Sequence, residues 1–401
     1  MIAPTPRRHR SPLHDGSLFQ PRRPAFWVYA AIMIATGIVS VGQQSLFRQI
    51  SPSGWALSWA LLALYALPVL FLVYVLDLYE REPLSLVLGA LLWGAVGATT
   101  LSGFANDGWG LVVARVGGPE FAARWTAALT APIVEETLKG LGVVMIYLIA
   151  PDEFDDMMDG FVYGALCGLG FAVVEDVAYF MAGFGGTPSG VLEGFYVRVV
   201  SSGLYGHVLY TGLVGMAIGL LVTRRDPTPM RDRVPLAAGI IALAVLGHAL
   251  WNAPVLALAP RPPVHGAAWL LYPVDLAIKG LPLLLFVIVA LRLARNRERR
   301  WLDGALEAEV GRGGVTADEL AVLRVPARRR AAVRTMRARA GDAAGRLLTR
   351  LQREQIDLAM VASRVATPDA PELVAQRGFC ASLRAALDAI PGAAAAAQPD
   401  G

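Results

Sequence analysis

The run from Ala131 to Gly140 (APIVEETLKG) sets two adjacent carboxylates, Glu135 and Glu136, within one helical turn of the amine of Lys139. One carboxylate can then be neutralised by the lysine while the other is left to act as a general base on water. Further along, Glu175 and Asp176 close the run FAVVED, His207 stands in a second apolar run, and His248 and Asn252 form an HxxxN pair. Residues four apart share a helical face, so Glu135 sits over Lys139, His207 over Thr211 and His248 over Asn252. Carboxylates and imidazoles in such pairs are the parts of general acid–base catalysis, of a catalytic zinc site and of a proton relay.

All of these residues lie in long apolar runs. Of 401 residues 55% are hydrophobic and 17% charged, with a mean hydropathy of +0.50, a balance that no ordinary soluble domain buries. A spanning helix needs about 20 mostly apolar residues. Eight such runs precede residue 294, at 26–48, 55–77, 84–104, 126–150, 160–184, 198–223, 235–258 and 268–293. The predicted fold is therefore all-α: a polytopic transmembrane bundle of about eight spans with a small cytoplasmic helical C-terminal segment. A charge at the middle of a bilayer costs on the order of 3 kcal/mol, which makes ionisable residues within spans functional candidates. At about 1.5 Å per residue, Glu135, Glu175, His207 and His248 all fall roughly 13 to 15 Å below the same outer boundary and can share one plane. Gly160, Gly164 and Gly168 recur at intervals of four and offer a face that another helix can approach closely.

The arginines give orientation. Arg7, Arg8, Arg10, Arg22 and Arg23 precede the first span, Arg224, Arg225, Arg231 and Arg233 separate the sixth and seventh, and Arg292, Arg295, Arg297, Arg299 and Arg300 follow the eighth. The positive-inside rule places both termini in the cytoplasm of a multi-pass cell-membrane protein, and it accounts for the net charge of +4 without nucleic acid. Residues 1–25 read as a polar N-terminal tail before a retained first span, 26–293 as the membrane core, 294–390 as a cytoplasmic helical segment and 391–401 as an Ala/Pro/Gly tail. The stretch Asn106–Arg124 reads as a loop with a short interfacial or re-entrant helix around Trp109 to Val113. Cys167 and Cys380 are expected to be plain thiols.

The EExxK run of Glu135, Glu136 and Lys139, the segment from Asp159 through Phe171 to Glu175, the His207 span and the His248/Asn252 pair together resemble the PrsW intramembrane proteases, over residues 60 to 290. CAAX-type relatives carry FxxxH where this chain has Phe171 and Glu175, and Asp176 departs from the asparagine frequent in PrsW proteins. The resemblance implies an endopeptidase acting near the outer face on single-span, membrane-anchored proteins such as anti-sigma factors. It implies Glu135 as base, with Glu136, Glu175, His207 and His248 around the water and Asn252 as an oxyanion donor. The histidines would bind either a metal or the oxyanion; for Zn2+ the ligand set would be His207, His248 and Glu175 or Glu136.

Plainer readings stand beside this one. Glu135 with Lys139 can be a buried pair that fixes helix register, and Asp275 with Lys279 reads as such a structural pair. Trp251, Trp269 and Tyr272 read as interface anchors, and Ser189 lies in a Gly/Pro-rich loop without a GxSxG elbow. A proton-coupled transporter, or an inactive family member serving as a scaffold, is the alternative function.

Overall fold

The computed structural model describes residues 16–76, 82–201, 206–223, 228–254, 270–365 and 367–393. His9, His14, His265, Trp269 and most of the expected C-terminal tail lie outside them. Among the described residues the chain is helical, with one isolated bridge between Val310 and Val315 and no strand. It divides into two units that part between Leu291 and Arg292.

The first unit begins with α1 (Pro24–Ile50) and α2 (Pro52–Leu76). Their outward faces carry Ile34, Ile38, Val41, Leu64, Leu67 and Phe71, a surface suited to acyl chains rather than water. Next, α3 (Leu84–Leu92) passes through a π-helical stretch, Trp93–Ala98, into α4 (Thr99–Gly117). Then come α5 (Pro119–Leu129), α6 (Ala131–Ile149) and α7 (Met157–Ala178), which is prolonged by a π-helical turn, Tyr179–Gly183. After α8 (Pro188–Phe195) and its π-helical end, Tyr196–Val200, the order is α9 (His207–Val222), α10 (Met230–Asn252), α11 (Leu271–Lys279) and α12 (Leu281–Ala308). The last two are bent by 42°.

Among the described residues five helices are long and apolar enough to cross a membrane, and six if α11 and α12 form one bent span. The difference from eight has a physical origin in the site itself. The 19 residues of α6 include Glu135, Glu136 and Lys139, and α9 has only 16 residues because it opens at His207 rather than near 198. Two expectations are corrected. The third run does not stop near residue 104; α3 and α4 form one rod to Gly117, so Trp109 to Val113 continue that rod, and the turn at Gly118 (φ 86°) before Pro119 starts a separate α5. The supposed loop around Ser189 is helix α8, begun by Thr187, whose hydroxyl accepts from Gly190 N at 3.2 Å.

At the centre lies α7, buried at every residue from Gly160 to Ala172. Its glycines are the cause. A Cβ at Gly160, Gly164 or Gly168 would collide with the carbonyl oxygen of Gly215, Thr211 or His207 on α9. On another face, a Cβ at Gly170 would strike Leu91 O, and one at Gly94 would strike Cys167 O. Backbones thus meet on two sides of α7, as the register of small residues requires.

In the second unit α13 (Ala317–Leu323), α14 (Pro326–Arg364, interrupted at Gly341, φ 86°) and α15 (Pro371–Asp388) follow the end of α12. Arg377 pairs with Glu309 at 2.6 and 2.8 Å and Arg384 with Glu319 at 2.7 Å. The hydrogen-bonded carboxylate beside Arg377 raises its guanidinium further above its ordinary range. Burial pushes the Cys380 thiol up to about 12, which keeps it protonated and unreactive.

Candidate active site

Glu135, Glu136 and Lys139 are buried on α6, at 3%, 1% and 0% exposure. The lysine ammonium is 2.7 Å from Glu136 Oε1 and 3.6 Å from Glu135 Oε2, so it serves both, with Glu136 closer. Phe171 of α7 lies beneath it, 4.1 Å from ring centre to Nζ. The α6 helix is itself held to the π-helical stretch by Trp93, whose indole N–H donates to Leu138 O at 2.9 Å. Removing one partner of a buried charge pair strands the other. Lys139→Met is therefore expected to destabilise the protein by about 3–5 kcal/mol, read as a fall in thermal stability in detergent.

The two glutamates differ in what holds them. Glu136 is fully engaged: Oε2 accepts from Thr211 Oγ1 at 2.8 Å, and Oε1 faces His248 Nδ1 at 3.0 Å as well as the lysine. Glu135 Oε1 accepts from Asn106 Nδ2 of α4 at 3.1 Å, while its Oε2 is buried with no hydrogen-bond partner. That oxygen, 3.6 Å from Lys139 Nζ, is 3.8 Å from His248 Nε2 and 3.9 Å from His207 Nδ1. His248 is stacked on Tyr210, with ring centres 5.0 Å apart and planes 7° apart.

His207 is the first residue of α9, after Gly206 at φ 79°, so the positive end of that helix dipole lies among the carboxylates. Its Nδ1 lies 2.8 Å from Lys139 Nζ and its Nε2 3.0 Å from Glu175 Oε2. Glu175 also accepts from Arg198 Nη2 at 2.7 Å, and the same guanidinium binds Asp176 through Nε. Asn252 gives an amide N–H to Ala127 O of α5 at 3.0 Å. Lys279 binds the last carbonyls of α10, Ala253 O at 3.1 Å and Trp251 O at 3.4 Å, a cation at a helix C-terminus that fixes the end of α10 beyond His248.

A profile described as PrsW family intramembrane metalloprotease matches residues 82–291, more than half of the chain and all of the residues just described. The chain belongs to the PrsW family. It is also similar to two proteins named "Protease PrsW": that of Geobacillus kaustophilus (strain HTA426) is 35% identical over 111 residues, 27% of this chain and 45% of the relative. That of Bacillus subtilis (strain 168) is 34% identical over 106 residues, 26% of this chain and 45% of the relative. The matches thus span less than half the length of these relatives. No solved structure matches the chain.

The metal implied by the PrsW family description finds a fitting donor set. Glu135, His207 and His248 each offer a ligand atom, and these atoms lie within 4.8 Å of one another. Two imidazoles and one carboxylate are a common catalytic zinc set. Glu135, Glu136, Glu175 and Asp176 gather here beside two basic side chains, Lys139 and Arg198, an acid-rich setting that suits a divalent cation.

Of the residues expected to act together, Glu135, Glu136, His207 and His248 meet within 4 Å contacts, and Glu175 joins through His207. The gathered donor set contains Glu135, whereas Glu175 faces Arg198 and the far nitrogen of the His207 ring. Asn106 and Arg198 were not foreseen as members. Asn106 falls in the stretch that reads as a loop, and Arg198 stands at the very start of the sixth apolar run. A polar residue in a helical register facing Glu135, and an arginine beside two acids in an apolar setting, were the available signals.

Proposed function

We propose that the protein is an intramembrane endopeptidase that hydrolyses single-span, membrane-anchored proteins near the outer face of the cell membrane, anti-sigma factors among them. The observation that carries the reading is the convergence of Glu135, Glu136, His207 and His248 from α6, α9 and α10 within the stretch that matches the family. Eight crossings, counting α6 and α9, with both termini and the Arg292–Gly401 unit in the cytoplasm, agree with the arginine distribution.

In this reading Glu135 Oε2 takes the proton of the attacking water, because among the described residues it is the buried carboxylate oxygen without a hydrogen-bond partner. Asn106 holds the opposite oxygen and so aims the carboxylate. Glu136 orients His248 by accepting from Nδ1, which leaves Nε2 turned toward Glu135. Glu175 does the same for His207 from the other side. Lys139 offsets the paired negative charge that would otherwise be expensive at this depth. Zinc held by the imidazoles of His207 and His248 would supply Lewis acidity toward the scissile carbonyl or the water, with Glu135 beside it left as the base. Asn252, tied to α5, positions the end of α10.

The test is reconstitution of the purified protein in liposomes with single-span substrates. Cleavage is expected, with loss on treatment with a zinc chelator and recovery on adding Zn2+. Cleavage that survives complete metal removal would overturn the zinc assignment, and absence of cleavage across a broad single-span panel would overturn the peptidase reading.

A further inference from the structure

We propose that Arg198 is a positioning residue for the hydrolytic site: it holds Glu175 so that Glu175 holds His207 as the Nε2–H tautomer, with the Nδ1 lone pair turned toward Lys139, on the side where Glu135 and Glu136 stand. This deepens the peptidase reading, and its kinetic arm rests on that reading.

The tautomer follows from donor and acceptor chemistry. A lysine ammonium only donates, so beside a charged Lys139 a neutral His207 accepts at Nδ1, 2.8 Å from Lys139 Nζ. The ring proton is then on Nε2, which faces a group that only accepts, Glu175 Oε2 at 3.0 Å. Two contacts on opposite sides of the ring agree on one form. What fixes the ring is therefore whatever fixes that oxygen. Arg198 Nη2 donates to the same Oε2 at 2.7 Å, and its Nε donates to Asp176, the next residue on α7. The guanidinium lies over the Tyr179 ring, 3.7 Å from its centre. It is thus held by two carboxylates and an aromatic face. A planar fork spans two neighbouring carboxylates; a lysine, being a point charge, does not reproduce it. The π-helical stretch Tyr196–Val200 sets Arg198 at this place, and α9 opens at His207. A carboxylate partner on the far nitrogen of a functional imidazole commonly sets its orientation, and loss of such a partner costs about 10- to 100-fold in metal affinity or activity.

The side chain of Arg198 is 26% exposed, so a small solute can reach the space it leaves. The experiment uses the full chain in detergent micelles, with histidine rings labelled with 15N; there are five histidines, and His207 is assigned with His207→Gln. The wild type is expected to show a single Nε2–H tautomer at His207. Arg198→Ala should give a mixture of tautomers, and on a cleavable substrate a kcat lowered about 10- to 100-fold with KM little changed. Millimolar guanidinium ion should restore both in Arg198→Ala and neither in Arg198→Lys. Arg198→Gln replaces the alanine variant if that one does not fold. A single unchanged tautomer together with wild-type kcat in the folded variant would overturn the proposal. If the wild type cleaves nothing, the peptidase reading falls, and the tautomer measurement alone decides the role of Arg198.

Discussion

Glu135→Gln is expected to leave the protein folded and to lower its cleavage rate by about 10^3-fold or more. The substitution keeps size and keeps the amide of Asn106 a partner, because the retained oxygen can still accept at the 3.1 Å contact. What it removes is the oxygen that has no hydrogen-bond partner, together with its ion pair to Lys139 at 3.6 Å. In its place stands an NH2 group near Lys139 Nζ and two imidazoles, which can accept no proton from water and offers no ligand to a cation. Loss of a positioned general base alone accounts for about 10^2 to 10^4 in rate. Glu136→Gln tests a different arrangement. Glu136 accepts from Thr211, His248 and Lys139 together, so its loss is felt in stability as well as in rate.

The second large effect concerns the backbone contact that builds the site. Gly164→Leu is expected to abolish recovery of folded protein, at a cost above about 3 kcal/mol, because overpacking a tight core already costs about 1–3 kcal/mol where side chains can yield. Here the obstacle is backbone: Thr211 O and the Cα of Gly215. Neither can turn away. Gly168→Ala is the subtler variant, since its Cβ meets His207 O directly. It should fold with reduced stability and cleave poorly, because relief of the clash moves the first residue of α9. Gly103→Ala and Gly239→Ala are the controls: a Cβ at either meets nothing within 4 Å, so neither stability nor cleavage should fall. Thermal unfolding and cleavage on the same preparations separate these cases.

How much of this was legible follows from the kind of signal each residue gives. Glu135, Glu136, Glu175, His207 and His248 stand out because ionisable groups in apolar runs are costly and few, and their convergence needed only equal depth. The glycines of α7 announced a close helix contact by their spacing, though not that α9 would be the partner. Hydropathy failed at Asn106, because Trp109 to Val113 has an average that suits either an interfacial helix or the continuation of one long rod. It also misplaced the start of α9: Gly206 breaks the chain at positive φ inside what composition reads as one apolar run. The span count suffers from the same cause, since the three charges of α6 serve the site and lower its hydropathy together. Arg198 was hidden because a lone arginine at the end of a run is ordinarily a topology signal, and only the fold brings it back to Glu175 and Asp176.

The central claim is that one hydrolytic site is shared by residues of α6, α9 and α10, and its most direct test is cleavage of a single-span substrate by matched, equally folded preparations. The set is the wild type, Glu135→Gln, Glu136→Gln, His207→Ala and His248→Ala. Cleavage by the wild type at a fixed bond and its loss in all four variants is the predicted result. Wild-type rates in Glu135→Gln or in both histidine variants, with insertion and folding intact, would contradict the account and place the chemistry elsewhere in the chain.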